Sequence, residues 1–104
     1  MEQIIQPTYY YIDDQGNKVY DIELMQEEFN QALAQLKKEH PKASHHCFAY
    51  RIGYDKLVYR VTDDGEPSGS AGRPILGAID SLQLTNVLAV VVRYFGGTLL
   101  GVPG

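Results

Sequence analysis

The sequence predicts a single small α+β domain, a two-layer sheet with two covering helices. Three observations carry this. Apolar residues recur with the period of strands, then of a helix, then of strands, a second helix and a final strand. The 104 residues are 44% hydrophobic and 21% charged, and a chain of this length buries roughly 65% of its unfolded surface, enough for one core. Val87–Val92 is continuously apolar and β-branched, the pattern of a strand covered on both faces, which needs both helices.

The elements follow in order. Thr8–Ile12 and Lys18–Tyr20 flank the turn-rich Asp13-Asp14-Gln15-Gly16-Asn17 and predict a β-hairpin. Asp21 is a good N-cap, and apolar residues then recur at Ile22, Met25, Phe29, Ala32, Leu33 and Leu36. Acids in the early turns and Lys37-Lys38 in the last suit the dipole of this first helix, which His40-Pro41 ends. His46–Ile52 and Leu57–Thr62 read as strands joined by Gly53-Tyr54-Asp55-Lys56. After the long loop Asp63–Gly72, a second helix is expected near Pro74, burying Ile75, Ile79 and Leu82.

Charge divides the chain. Residues 1–39 hold eight acids against three lysines, a net of −5, whereas residues 40–104 hold five acids against six bases. Nucleic-acid binding needs a basic face to displace counterions, so any RNA contact is expected to be weak. There is no ~20-residue apolar run for a membrane span. The lone Cys47 cannot close an internal disulfide, and a cytoplasmic location is expected.

Three segments could carry chemistry. His45-His46-Cys47 offers zinc-ligand types, but on a strand His45 and Cys47 share one face while His46 takes the other; no metal site is expected, with His45 and Cys47 the only weak candidates. In the loop, Gly65, Gly69 and Gly72 leave amides accessible ahead of a helix N-terminus, the arrangement that cradles anions. Asp63, Asp64 and Glu66 would repel a bare phosphate unless a cation or Arg73 intervened. The competing reading is structural: successive turns at Asp64-Gly65 and Pro67–Gly69, with hydroxyls capping the helix. Arg93-Tyr94-Phe95-Gly96-Gly97 closes the most apolar strand with a guanidinium, two rings and two glycines. Arg93 is expected to pair with a carboxylate of the Asp63–Glu66 loop, and the segment reads equally as an internal strut or a contact surface.

Taken together, Ala43–Tyr50, Asp63–Leu76 and Val90–Gly101 resemble the IMPACT family of YigZ-like proteins in order and spacing across residues 37–101. The resemblance implies an N-terminal domain similar to domain IV of elongation factor G, with no cofactor and no established enzymatic activity. It implies a link to translation: eukaryotic relatives restrain the kinase that phosphorylates the translation initiation factor by competing for that kinase's activator, and bacterial relatives are associated with ribosome or nucleic-acid contact. Residues 1–36, an acidic hairpin and helix, depart from the family's usual beginning. The chain ends at Gly101-Val102-Pro103-Gly104, where family members continue into another helix and strand, so the resemblance implies either a domain cut short or an unusually short member, with a sheet partly uncovered. Uncovered apolar area and open strand edges favour a homo-oligomer.

Two function classes follow. One is a non-catalytic binding module that touches a protein of the translation machinery, in preference to RNA, through Asp63, Asp64, Gly65, Glu66, Pro67, Gly69, Gly72, Arg73 and the Arg93–Gly97 segment. The other is a small hydrolase holding Mg²⁺ or a similar cation on Asp63, Asp64 and Glu66. No nucleophile–base pair stands at workable spacing, which favours the binding module.

Overall fold

The computed structural model describes residues 1–8, 10–53 and 58–94. Six strands and two helices run β1 (Glu2–Ile5), β2 (Tyr11–Ile12), β3 (Lys18–Val19), α1 (Ile22–Glu39), β4 (His45–Ile52), β5 (Val58–Thr62), α2 (Gly72–Ser81) and β6 (Val87–Arg93). The main sheet is antiparallel in the order β1-β6-β4-β5, and among the described residues β2 pairs with β3 alone.

Alternation along β4 divides the core. Phe48, Tyr50 and Ile52 face α1 and join Met25, Phe29, Leu33 and Leu36 with Leu88, Val90 and Val92. Ala49 faces the other way and joins Leu76 and Ile79 of α2 with Val87 and Ala89. The α+β class with two covering helices therefore holds. The helices lie on opposite faces, so the stacking is helix, sheet, helix where two layers were expected. Val87–Val92 is covered on both faces, as its unbroken apolar run requires.

α1 begins where Asp21 accepts a hydrogen bond from the Leu24 amide at 3.1 Å, and it ends with the His40 amide on the Leu36 carbonyl. The hairpin is shorter than expected. Tyr11 pairs with Val19 and Ile12 with Lys18 around the Asp13–Asn17 turn, while Thr8 is tied to α1 by Glu28.

Two corrections arise. β1 is not expected from the sequence, since its four residues show no sustained alternation, yet it pairs Glu2 with Val91 through Ile5 with Leu88. That strand places β6 inside the sheet, between β1 and β4. α2 starts at Gly72 rather than near Pro74, and it buries Leu76 while Leu82 is 69% exposed. The cause of the exposure is where the helix ends: Leu76 and Ile79 form the inward stripe, and Leu82 is already the C-cap residue beyond Ser81. Leu57, expected to open a strand, lies outside the described residues, and β5 is described from Val58.

Beside α2, over β1 and β6, an open trough of about 350 Å³ includes Ile4, Ile75, Leu82, Leu84 and Val91 in its lining.

Candidate functional site

The sheet register brings the three sequence motifs together. His45 stands opposite Arg93 and Cys47 opposite Val91, so β4 and β6 present His45, Cys47 and Arg93 at one end of the sheet. The loop between β5 and α2 folds over that end.

The loop is built on Asp63. Its carboxylate accepts from the amides of Gly69 at 2.8 Å, Ala71 at 3.0 Å and Gly72 at 2.8 Å. These bonds, the Gly72 amide foremost, hold the Asp63 carboxyl below the usual carboxylate range. Of the loop amides expected to face an external anion, those of Gly69 and Gly72 are taken by the chain's own carboxylate, and α2 is capped from nine residues away. The hydroxyl cap expected from the serines is replaced: the Ser70 hydroxyl donates to the Pro67 carbonyl instead.

A tight turn follows Asp63. Asp64 and Gly65 both have positive φ, 46° and 88°, and the Glu66 amide donates to the Asp63 carbonyl at 3.0 Å. Asp-Gly suits this mirror-image turn because asparagine, aspartate and glycine tolerate the left-handed region. The turn aims Asp64 at β4, where it accepts from the His46 amide at 2.6 Å. It aims Glu66 at Arg93, and the two form the expected ion pair at 2.5 Å. Arg93 is 51% exposed and Glu66 only 11%, so the pair lies at the rim, half open to water. His45 Nε2 lies 3.8 Å from the same glutamate.

The histidines and the thiol face inward bonds. His45 Nδ1 donates to the Asp64 carbonyl at 2.7 Å, His46 Nε2 to the His40 carbonyl at 3.1 Å, and Cys47 Sγ to the Asp63 carbonyl at 3.1 Å. Burial, then the Glu66, Asp64 and Asp63 carboxylates, push the Cys47 thiol up. A protonated, buried thiol is a poor nucleophile and a poor metal ligand. Among the described residues no group of three metal-ligating side chains converges.

Gly72 has a separate reason to be glycine. A Cβ there would stand 2.8 Å from the Thr62 amide nitrogen, so α2 could not approach β5 so closely.

What remains is an open cleft of about 240 Å³ whose lining includes Cys47, Glu66, Ser70, Ile75, Val91 and Arg93. Above it stands an exposed loop tip, Pro67–Ser70, with Arg73 also exposed. Tyr94 is exposed and its hydroxyl bonds His40 Nδ1 at 2.6 Å. Phe95, Gly96 and Gly97, singled out with them, lie outside the described residues. Sequence reasoning singled out Cys47, Glu66 and Arg93 of the cleft but not Ser70, Ile75 or Val91, and it missed the hub role of Asp63, whose amide partners are six to nine positions away and carry no local signal.

Comparison with known proteins adds independent information. Residues 18–104 match the family model described as the Impact N-terminal domain. The chain is similar to an IMPACT family member of Haemophilus influenzae, 52% identical over 73 residues, covering 68% of this chain and 35% of that protein. It is similar to the IMPACT family member YvyE of Bacillus subtilis, 43% identical over 79 residues, covering 76% and 36%. Protein IMPACT of Oryctolagus cuniculus is 35% identical over 78 residues, covering 72% and 25%. The chain thus spans about a third of the length of its bacterial relatives.

Proposed function

Because the chain belongs to the IMPACT family, we propose that it is a non-catalytic binding module that grips a protein of the translation machinery in the cytoplasm. The contact is made by the Pro67–Ser70 tip and the Glu66–Arg93 rim of the cleft. One observation carries this reading. The exposed tip is held from beneath by three amide bonds to Asp63, so a partner meets a surface already ordered. Ordering a flexible loop on binding costs about 0.5–1.5 kcal/mol per immobilised side chain, and a pre-formed loop avoids much of that.

The electrostatics favour protein over RNA. Arg73 and Arg93 are exposed near the cleft, but Glu66 already neutralises Arg93 and Asp63 sits among the neighbouring amides. Few cations are left there to neutralise phosphates and release their counterions. The carboxylates that a hydrolase would lend to a cation are committed to amides, to Arg93 and to β4. A second element of the proposal is self-association through the trough beside β1, where Ile4 and Leu82 stand exposed. Light scattering that finds a strict monomer at high concentration removes this element.

The test is site-specific photo-crosslinking in cells with the crosslinker at Ser68, and at Asn30 of α1 as the control position. The expected result is a ribonuclease-resistant adduct to a protein of the translation machinery, formed from Ser68 and lost on Arg93→Glu. Adducts formed equally from Asn30, or only ribonuclease-sensitive ones, overturn the reading.

A further inference from the structure

A second groove shares no residue with the cleft. It lies between the hairpin and the first half of α1, holds about 390 Å³, and includes Tyr10, Tyr11, Leu24, Asp21, Glu27 and Glu28 in its lining. Its apolar side is open to water: Tyr10, Tyr11 and Leu24 are all exposed, Tyr11 by 57%. Its other side is acidic.

The three acids differ in what they are free to do. Asp21 caps α1 through the Leu24 amide, and Glu28 holds the Thr8 amide and hydroxyl. Glu27 has no hydrogen bond or ion pair among the described residues. It therefore presents a full carboxylate to the groove. The rings supply the complementary preference, since a tyrosine face attracts a cation through its quadrupole. The chain already makes such a contact here: the Lys18 ammonium lies 4.7 Å from the centre of the Tyr10 ring. Residues 1–39 carry a net of −5, so the surrounding field points the same way.

We infer that this groove docks a basic, apolar-flanked peptide segment of a partner protein, with a lysine or arginine seated between the Tyr11 ring and Glu27 and an apolar neighbour against Leu24. The inference stands apart from the cleft reading, because neither surface is needed for the other.

Titration of the labelled full chain with a short peptide alternating lysine and leucine, against its twin with glutamine at every lysine, tests it by NMR. The expected result is amide perturbations confined to β2 and the first half of α1, with the lysine peptide bound more tightly and its affinity falling with salt. Tyr11→Leu, which keeps the bulk and removes the ring, and Glu27→Gln, which keeps the shape and removes the charge, should each weaken the lysine peptide by about two- to fivefold. Neither should change the glutamine twin. Equal binding of the two peptides, which marks a merely apolar occupant, overturns the inference. So do perturbations of β2 and the first half of α1 that appear with protein concentration alone, which mark a second copy in this groove, perturbations centred on the Glu66–Arg93 cleft, or no binding at all.

Discussion

Two turns of this molecule begin with an aspartate whose carboxylate gathers backbone amides, and they differ in how far it reaches. Asp13 accepts from the amides of Gln15 and Asn17, two and four residues on, and closes the hairpin turn. Asp63 accepts from Gly69, Ala71 and Gly72, six to nine residues on, and joins a loop, a helix N-terminus and a strand end. Amide bonds hold both carboxyls below the usual range, the Asn17 amide foremost at one and the Gly72 amide foremost at the other. The chemistry is the same. A bond that spans two residues shapes a turn, whereas one that spans nine fixes the position of α2 against the sheet.

If that contrast is right, the largest effect comes from crowding the junction that Asp63 organises. Gly72→Ala forces a Cβ against the Thr62 backbone, which cannot retreat as a side-chain tip would. Overpacking of this kind costs about 1–3 kcal/mol. A thermal melt should show it, at roughly 4–8 °C per kcal/mol for a domain of this size. Gly69→Ala makes a sharper companion: its φ is +78° but open space surrounds it, so its loss reports backbone conformation alone.

Next in size is Asp63→Ala, expected to lower the melting temperature more than Asp13→Ala at neutral pH. Equal losses would erase the comparison. Acid should erase it too, for a stated reason. A carboxyl whose folded pKa is depressed contributes stability above its unfolded value, near pH 4, and loses that contribution as pH falls through the folded value. The gap between parent and Asp63→Ala should therefore close well below pH 4.

The smallest effect is expected at the rim. Arg93→Ala removes a pair in which the arginine is half exposed, so the loss should be about 0.2–1 kcal/mol, the range for exposed ion pairs. A loss of several kcal/mol would mean that the pair is shielded from water after all.

The same contrast explains what the sequence disclosed. α1, β4 and β6 were legible because their signals are local and repeated: Met25, Phe29, Leu33 and Leu36 at helical spacing, and an unbroken Val87–Val92. The partnership of Arg93 with the acidic loop was legible from charge, because a cation ending an apolar strand needs a counterion. Its exposure was not, since that depends on how the turn at Asp64-Gly65 sets Glu66. β1 was invisible because a four-residue edge strand takes its stability from β6 rather than from its own pattern. The early start of α2 was invisible because its cap lies nine residues upstream, beyond any capping-box spacing.

The central claim is that Asp63 is the hub of the loop, and an NMR pH titration of the amide protons reads it directly. The Gly69, Ala71 and Gly72 amides should shift together through one midpoint below the ordinary aspartate value of about 3.9. All three shifts should vanish in Asp63→Ala while the Asn17 amide continues to follow Asp13. Amides that titrate separately, or that keep their shifts without the Asp63 carboxylate, would contradict it.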